Sequence, residues 1–103
     1  MLMNKSNLTG KQRRYLRGLG NQLQPVVWVG LKGVNEGVRA AIANAFEHAD
    51  LIKIKLQEGF EGERHQVAEQ LATTNKAELV QVLGKTILLY RRHAEQPKIE
   101  LPQ

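Results

Sequence analysis

Strand patterns alternate with helical patterns in the middle of the chain, and this order limits the fold more than any other feature. Val26 to Val29 is a short, wholly apolar run, which predicts a strand covered on both faces. Leu51 to Leu56 alternates apolar residues with lysines, which predicts a strand with one buried face. Between them, Asn35 can cap a helix that carries an apolar stripe. A strand, a helix and a strand in this order favour parallel pairing with a right-handed crossover.

The flanking segments complete the expected architecture. Thr9-Gly10-Lys11-Gln12 is a capping-box pattern, which predicts the start of a first helix. A third helix is predicted over residues 63–73. Leu79 to Leu83 and Thr86 to Arg91 are expected strands, and Gly84-Lys85 between them suits a type II′ hairpin turn. The predicted fold is therefore α/β, in the order α-β-α-β-α-β-β, with a four-stranded mixed sheet packed by helices.

Length and composition limit the protein class. A chain of 103 residues fits one core, so we expect a single domain over residues 1–97 and an extended tail over residues 98–103. The chain has no cysteine, which excludes disulfides and thiolate metal sites. Its apolar runs are far shorter than the roughly 20 residues of a membrane span, and residues 1–8 lack the apolar stretch of a signal peptide. We therefore expect a cytoplasmic protein that does not bind membranes.

The positive charge is concentrated near the amino terminus. The whole chain has a net charge of +5, and residues 1–39 hold seven basic groups against the single acid Glu36. Residues 40–103 hold eight basic and nine acidic groups, so the entire excess is N-terminal. Such a balance indicates a polyanionic partner, although solubility alone can also yield a basic protein.

The first predicted helix carries much of this charge on one side. At about 100° per residue, Arg13, Arg14 and Arg17 share an arc opposite Tyr15 and the helix leucines. We expect the arginines, with Lys11, to contact phosphates. Lys53 and Lys55 would extend this surface if their face of the sheet is open. The alternative for the two lysines is a merely solvated strand face.

Gly30-Leu31-Lys32-Gly33 lies between a predicted strand and a predicted helix. Missing side chains let a sugar-phosphate backbone approach closely, and the helix start behind the loop offers unpaired amides. Lys32 would supply a charge at the loop tip, with Arg39 in the early helix. Arg39 is unfavourable near a helix N-terminus, and either a bound phosphate or Glu36 would compensate it. KH-type RNA binders use such a loop as a backbone clamp, although ordinary turn chemistry is the alternative.

Two aromatic residues could stack on bases, but their patterns place them in the core. Tyr15 shares the leucine arc of the first helix, and Trp28 lies inside the apolar run of the first strand. Stacking on nucleobases requires an exposed ring. We therefore predict that both side chains are buried.

No catalytic constellation is visible. His48, His65 and His93 lie in different predicted segments without a metal-pair spacing. Gly84-Lys85-Thr86 resembles the end of a phosphate-binding P-loop, but Leu79 stands where that motif requires glycine. We expect no metal, no cofactor and no enzymatic activity.

The motifs together resemble the YhbY family, the single-domain form of the CRM domain (chloroplast RNA splicing and ribosome maturation). The resemblance rests on an ordered series: Leu8 to Arg17, Pro25-Val26-Val27, Gly30 to Gly33, Glu36-Gly37-Val38, Leu51 to Lys55, Val80 to Thr86 and Leu89-Tyr90-Arg91. It implies a fold similar to the C-terminal domain of bacterial translation initiation factor three. It also implies RNA binding through the Gly-x-x-Gly loop and association with large ribosomal subunit precursors.

Two function classes follow from the sequence. The first is a non-enzymatic, monomeric RNA-binding protein, and the resemblance implies that its target is ribosomal RNA in large-subunit precursors. The second is a protein-interaction adaptor that docks an acidic partner on its basic N-terminal face. An enzyme acting on RNA lacks any visible base, nucleophile or metal site.

Overall fold

The computed structural model describes residues 7–103, and its elements follow the predicted order. They are α1 (Gly10–Gly20), β1 (Val27–Val29), α2 (Glu36–His48), β2 (Leu51–Leu56), α3 (Arg64–Thr74), β3 (Glu78–Leu83) and β4 (Thr86–Tyr90). The strands form one sheet in the order β1-β2-β4-β3. β1 and β2 are parallel, and β4 is antiparallel to both β2 and β3. The predicted α/β class with a four-stranded mixed sheet is confirmed.

Local hydrogen bonds explain where the helices begin. The Thr9 hydroxyl accepts from the backbone N–H of Gln12, and the Gln12 side chain accepts from that of Thr9, both at 3.1 Å. This is the predicted capping box. The Asn35 side chain caps α2 by accepting from the amide three residues later at 2.9 Å. The Glu63 carboxylate caps α3 by accepting hydrogen bonds from the backbone N–H groups of His65 and Gln66. These hydrogen bonds, above all the one from His65, lower the pKa of Glu63.

The sheet packs against different layers on its two faces. α2 and α3 cover one face, and the main core lies there. α1 covers part of the other face through Leu16, which packs with residues from three strands. Leu88 and Leu89 point to opposite faces and are both buried, so β4 belongs to both cores. None of the helices within residues 7–103 has the length and hydropathy to cross a membrane.

The C-terminal tail is held against the α1 face of the sheet. The buried Asp50 carboxylate accepts hydrogen bonds at 2.8–3.1 Å from the backbone N–H groups of His93, Lys98 and Ile99. Farther along, Gln12 and Lys11 donate to the carbonyls of Pro102 and Gln103 at 3.0 and 3.1 Å. Residues 98–103 therefore pack on the fold without forming a helix or strand. A domain boundary at residue 97 stays a prediction.

Two predictions of burial are wrong. Trp28 is 51% exposed, because β1 is an edge strand and α1 contacts only the other three strands closely. The first strand is therefore covered on one face, through Val27 and Val29. Tyr15 is 43% exposed, because the buried line of α1 runs through Leu16 and Gly20 and leaves Tyr15 at its border.

Candidate nucleic-acid interface

Three loops meet at one end of the sheet, which we call the loop end. They are the β1–α2 loop (residues 30–35), the β2–α3 loop (residues 57–63) and the β3–β4 hairpin (residues 84–85). β1 and β2 are parallel, so both end there, and β4 begins there because it is antiparallel to β2. Arg64 ties the helix start of α3 to the hairpin by donating to the Gly84 carbonyl at 2.7 Å. Both α2 and α3 therefore present their N-termini at this end.

The Gly30–Gly33 loop is a tight turn closed by its own backbone. The Gly33 N–H donates to the Gly30 carbonyl at 3.0 Å, and Gly33 has a φ of 77°. A methyl group at Gly33 would meet no atom within 4 Å, so the backbone conformation and not the space requires glycine. Leu31 is 69% exposed and rests against Gly59 of the neighbouring loop. The turn thus presents an open surface to an approaching ligand.

Lys32 lies exposed at the tip of this loop, as a phosphate contact requires. No salt bridge within residues 7–103 involves its ammonium. Between the loop and α3 lies a cleft of about 340 Å³, with Lys32 on the loop side and Glu63, Gln66 and Gln70 on the side of α3. The charge of Arg39 is compensated by Glu36, whose carboxylate lies 3.4 Å from the Arg39 guanidinium. Arg39 therefore gives no separate indication of a bound phosphate.

The arginine arc of α1 is divided by its contacts. Arg13 is half-buried, and its guanidinium donates to the carbonyls of Leu79 and Val80. The ladder between β3 and β4 shifts register between Leu79 and Gln81, next to these carbonyls. Arg14 is exposed and Arg17 is half-buried. The predicted group therefore contains one arginine that contacts the sheet and two that remain candidates for phosphates.

Lys11 also has a protein contact, since its ammonium donates to the Gln103 carbonyl. It nevertheless remains exposed, and an ammonium group has two further N–H donors, so its RNA contact stays a prediction. Lys11 and Gln12 lie on the flank of α1 that holds the tail, whereas Arg13 and Arg17 lie on the opposite flank.

The sheet face of Lys53 and Lys55 is open toward the loop end. The sequence analysis required an open face for these two lysines to extend the RNA-binding surface. Trp28 pairs with Lys55, Lys55 with Thr86, and Thr86 with Leu83, so one row crosses all four strands on the α1 face. Lys55 is exposed, Lys53 is half-buried, and Leu83 is 61% exposed. We call Trp28, Lys53, Lys55, Thr86 and Leu83 the open face.

Beside the open face, Trp28 and Lys55 line a cleft of about 500 Å³ with Glu58 and Lys85. The Lys85 ammonium donates to the Glu58 carboxylate at 2.9 Å and holds the pKa of that carboxyl below its ordinary value. Lys55 lowers the same pKa to a smaller extent. The acid at this cleft is therefore neutralised by a lysine that the sequence analysis did not include. Only the hairpin position of Lys85, next to the end of β2, could have indicated it.

No assembly of metal ligands is present in the described part of the chain. Three or more histidine or acidic side chains do not come together anywhere in residues 7–103. His65 lies 3.4 Å from Glu63, and His93 accepts hydrogen bonds from two tail amides. The absence of a cofactor and of catalysis stays a prediction.

Comparison with known families identifies this arrangement. The family description "CRS1 / YhbY (CRM) domain" matches residues 8–91, which include the loop, the arginines and both sheet lysines. The chain belongs to the CRM domain family. This CRM domain is 42% identical over 95 residues to "Probable RNA-binding protein YqeI" of Bacillus subtilis, covering 92% of this chain and 99% of that protein. It is 38% identical over 98 residues to an "RNA-binding protein" of Haemophilus influenzae, and the match covers 95% of this chain and 98% of that protein.

A solved structure has the same fold as this CRM domain. The solution structure of SAV1595 from Staphylococcus aureus superimposes with a TM-score of 0.79 at 39% sequence identity. The match covers 92% of this chain and 99% of SAV1595. The fold is thus shared over nearly the whole length of both proteins.

Proposed function

We propose that this CRM domain is a non-enzymatic protein that binds RNA at its loop end. The observation that carries the proposal is the open Gly30–Gly33 turn with the exposed Lys32 at its tip, which forms no salt bridge within residues 7–103. Close backbone approach and a cation at the tip are what a nucleic-acid backbone clamp requires. The relatives named as RNA-binding proteins support the same partner.

The RNA that we propose is ribosomal RNA in precursors of the large subunit. This target follows from the family resemblance. We further propose that the protein acts in the cytoplasm as a monomer. Arg14, Arg17 and the sheet lysines would supply additional phosphate contacts around the loop.

Charge reversal at the loop tip tests the backbone clamp. Lys32→Asp keeps both glycines and places repulsion beside a phosphate, so we expect a loss of about 1 to 3 kcal/mol, which is roughly five- to 150-fold in affinity. Filter binding of a large-subunit ribosomal RNA transcript measures the dissociation constants. Lys76→Asp is the matched control, because Lys76 is exposed at the opposite end of the sheet, where β3 begins. Equal, small losses in both variants would show that only the total charge matters.

The adaptor hypothesis predicts a different preference. An acidic protein partner would compete with RNA for the same basic face, and RNA would show no advantage at equal charge density. We expect instead a salt-sensitive preference for RNA over an acidic polypeptide, since phosphate contacts release condensed counterions. Cross-linking in cells, followed by sequencing of the bound RNA, tests the target. Cross-links spread evenly over unrelated RNAs would contradict the ribosomal assignment and leave RNA binding intact.

A further inference from the structure

Trp28 is the largest side chain on the open face, and the fold holds it there. Its neighbours Val27 and Val29 are buried in the main core, which fixes the direction of the strand between them. The pairing of Trp28 with Lys55 fixes the register as well. An indole that is 51% exposed loses much of the burial that would stabilise it in the core. An exposed indole on a rigid strand offers a flat surface on which a nucleobase can stack.

The surroundings of Trp28 suit a nucleotide better than a protein partner. Lys55 lies on the adjacent strand and Lys53 two residues before it, and neither forms a salt bridge within residues 7–103. Glu58, the acid that lines the cleft beside Trp28 and Lys55, is paired with Lys85. A flat ring bordered by two lysines outside any salt bridge of residues 7–103 matches a base and its phosphate. A second copy of the chain would bring like charges together on this face.

We propose that the open face is a stacking site for an unpaired RNA base, with Trp28 as the platform and Lys55 as the phosphate contact. This site rests on the proposed RNA-binding function and adds a contact outside the Gly30–Gly33 loop. Aromatic rings on a sheet bind unstacked bases without strong sequence preference, whereas paired bases in a duplex are inaccessible to them. The domain would therefore prefer RNA with a single-stranded segment beside the part gripped by the loop.

The chain supplies its own probe, because Trp28 is its one tryptophan. A stacked base quenches indole fluorescence, so the emission of the intact protein is followed during titration with single-stranded oligoadenylate. The affinity is measured independently by the anisotropy of the same oligonucleotide carrying an end label. We expect quenching that saturates together with binding, and much weaker quenching with an oligoadenylate–oligouridylate duplex.

Three variants make the test specific. Trp28→Ala is expected to weaken binding of single-stranded RNA by about five- to a hundred-fold and to leave duplex binding unchanged. Trp28→Phe retains a ring and is expected to restore most of the affinity, which separates stacking from any loss of folding. Tyr15→Ala is the matched control, because it removes an exposed aromatic ring from outside the open face. We expect Tyr15→Ala to bind like the wild type.

The outcomes separate this site from the proposed function. The stacking site is wrong, and RNA binding stands, if the wild type binds RNA without a change in its fluorescence and Trp28→Ala binds RNA with the affinity of the wild type. If the wild type binds no RNA at all, the proposed function itself fails. Equal losses of single-stranded and duplex binding would also overturn the inference. The inference would also be overturned if, without RNA, the emission of Trp28 changed as the protein concentration rose and the molecular mass doubled. The open face would then join two copies of the chain.

Discussion

Arg13 and Arg14 are adjacent in sequence but differ in their contacts. Arg13 donates to two carbonyls of β3 at the register shift, and thereby ties α1 to the edge of the sheet. Arg14 is exposed, and no salt bridge within residues 7–103 involves it. A helical wheel places them on one arc, but it cannot show that a strand bulge lies within reach of only one.

This difference predicts separable effects of substitution. Arg13→Ala should lower the free energy of unfolding by about 1 to 3 kcal/mol, because it removes charge-assisted hydrogen bonds to partly buried carbonyls. Arg14→Ala combined with Arg17→Ala should leave stability nearly unchanged and weaken RNA binding. Two lost phosphate contacts should flatten the dependence of log K on log salt by about 1.4 to 1.8. Urea unfolding and binding at several salt concentrations measure the two properties.

The arginine interpretation has a clear failure. An unchanged salt dependence in the double variant would mean that α1 does not face the RNA backbone. Arg13→Ala with wild-type stability would show that its carbonyl contacts are energetically neutral.

Glu58 gives a prediction of increased affinity. Glu58→Gln removes an acid from the edge of the open face and releases Lys85, so RNA affinity should rise by about two- to ten-fold. The pKa of Glu58 is held below its ordinary value by Lys85, so the wild-type carboxylate loses its charge only at a lower pH than an ordinary glutamate does. The ratio of the RNA affinity of Glu58→Gln to that of the wild type should therefore remain constant between about pH 7 and pH 5. A ratio of one at pH 7 would show that Glu58 lies away from the bound RNA.

At the scale of elements, short sequence patterns correctly predicted the helix starts and turns, because these features depend on interactions between residues that are close in the chain. The helix starts at Thr9 and Asn35 depend on hydrogen bonds within four residues, which a sequence shows directly. The hairpin turn is another case, since Gly84 has a φ of 58° and Lys85 a negative φ, as a type II′ turn requires. The loop Gly30–Gly33 also formed where the motif indicated.

The errors arise where the outcome depends on strand order. Whether Trp28 is buried depends on which strand lies at the sheet edge and how far α1 extends across the sheet. Nothing within the run Val26 to Val29 carries that information. The docking of the tail is equally non-local, because Asp50 contacts amides that are more than 40 residues later in the chain. A single aspartate between a helix and a strand gives no sequence signal for this contact.

The tail gives a prediction for a whole element. Asp50→Asn removes the charge from an acceptor of three backbone amides, so it should lower the free energy of unfolding by about 1 to 3 kcal/mol. It should also increase the exchange rates of the Lys98 and Ile99 amides, which hydrogen exchange resolves by residue. Glu100→Gln is the control, because it changes the same charge at an exposed tail position. Equal exchange in both variants would contradict an anchoring role for Asp50.

At the scale of the whole molecule, the two cores share a strand. Leu88 lies in the core with α1 and the tail, and Leu89 lies in the core with α2 and α3. Gly20 allows α1 to approach closely, because a methyl group there would lie 2.5 Å from Leu88. A strand buried on both faces transmits the loss of one core to the other, so the domain should unfold as one unit.

Leu16→Ala and Ile42→Ala test this coupling, since the two side chains are fully buried in different cores. Each should lower the free energy of unfolding by about 2 to 5 kcal/mol, and in each variant the amides of α1 and α2 should be destabilised together. Circular dichroism measures the stability, and native-state hydrogen exchange follows the two helices separately. Leu31→Ala makes the same chemical change at an exposed position and should have almost no effect, because little packing is lost there. If Leu16→Ala increased exchange in α1 alone while α2 kept its wild-type protection, the layer formed by α1 and the tail would be a separate unit that can open without unfolding the sheet.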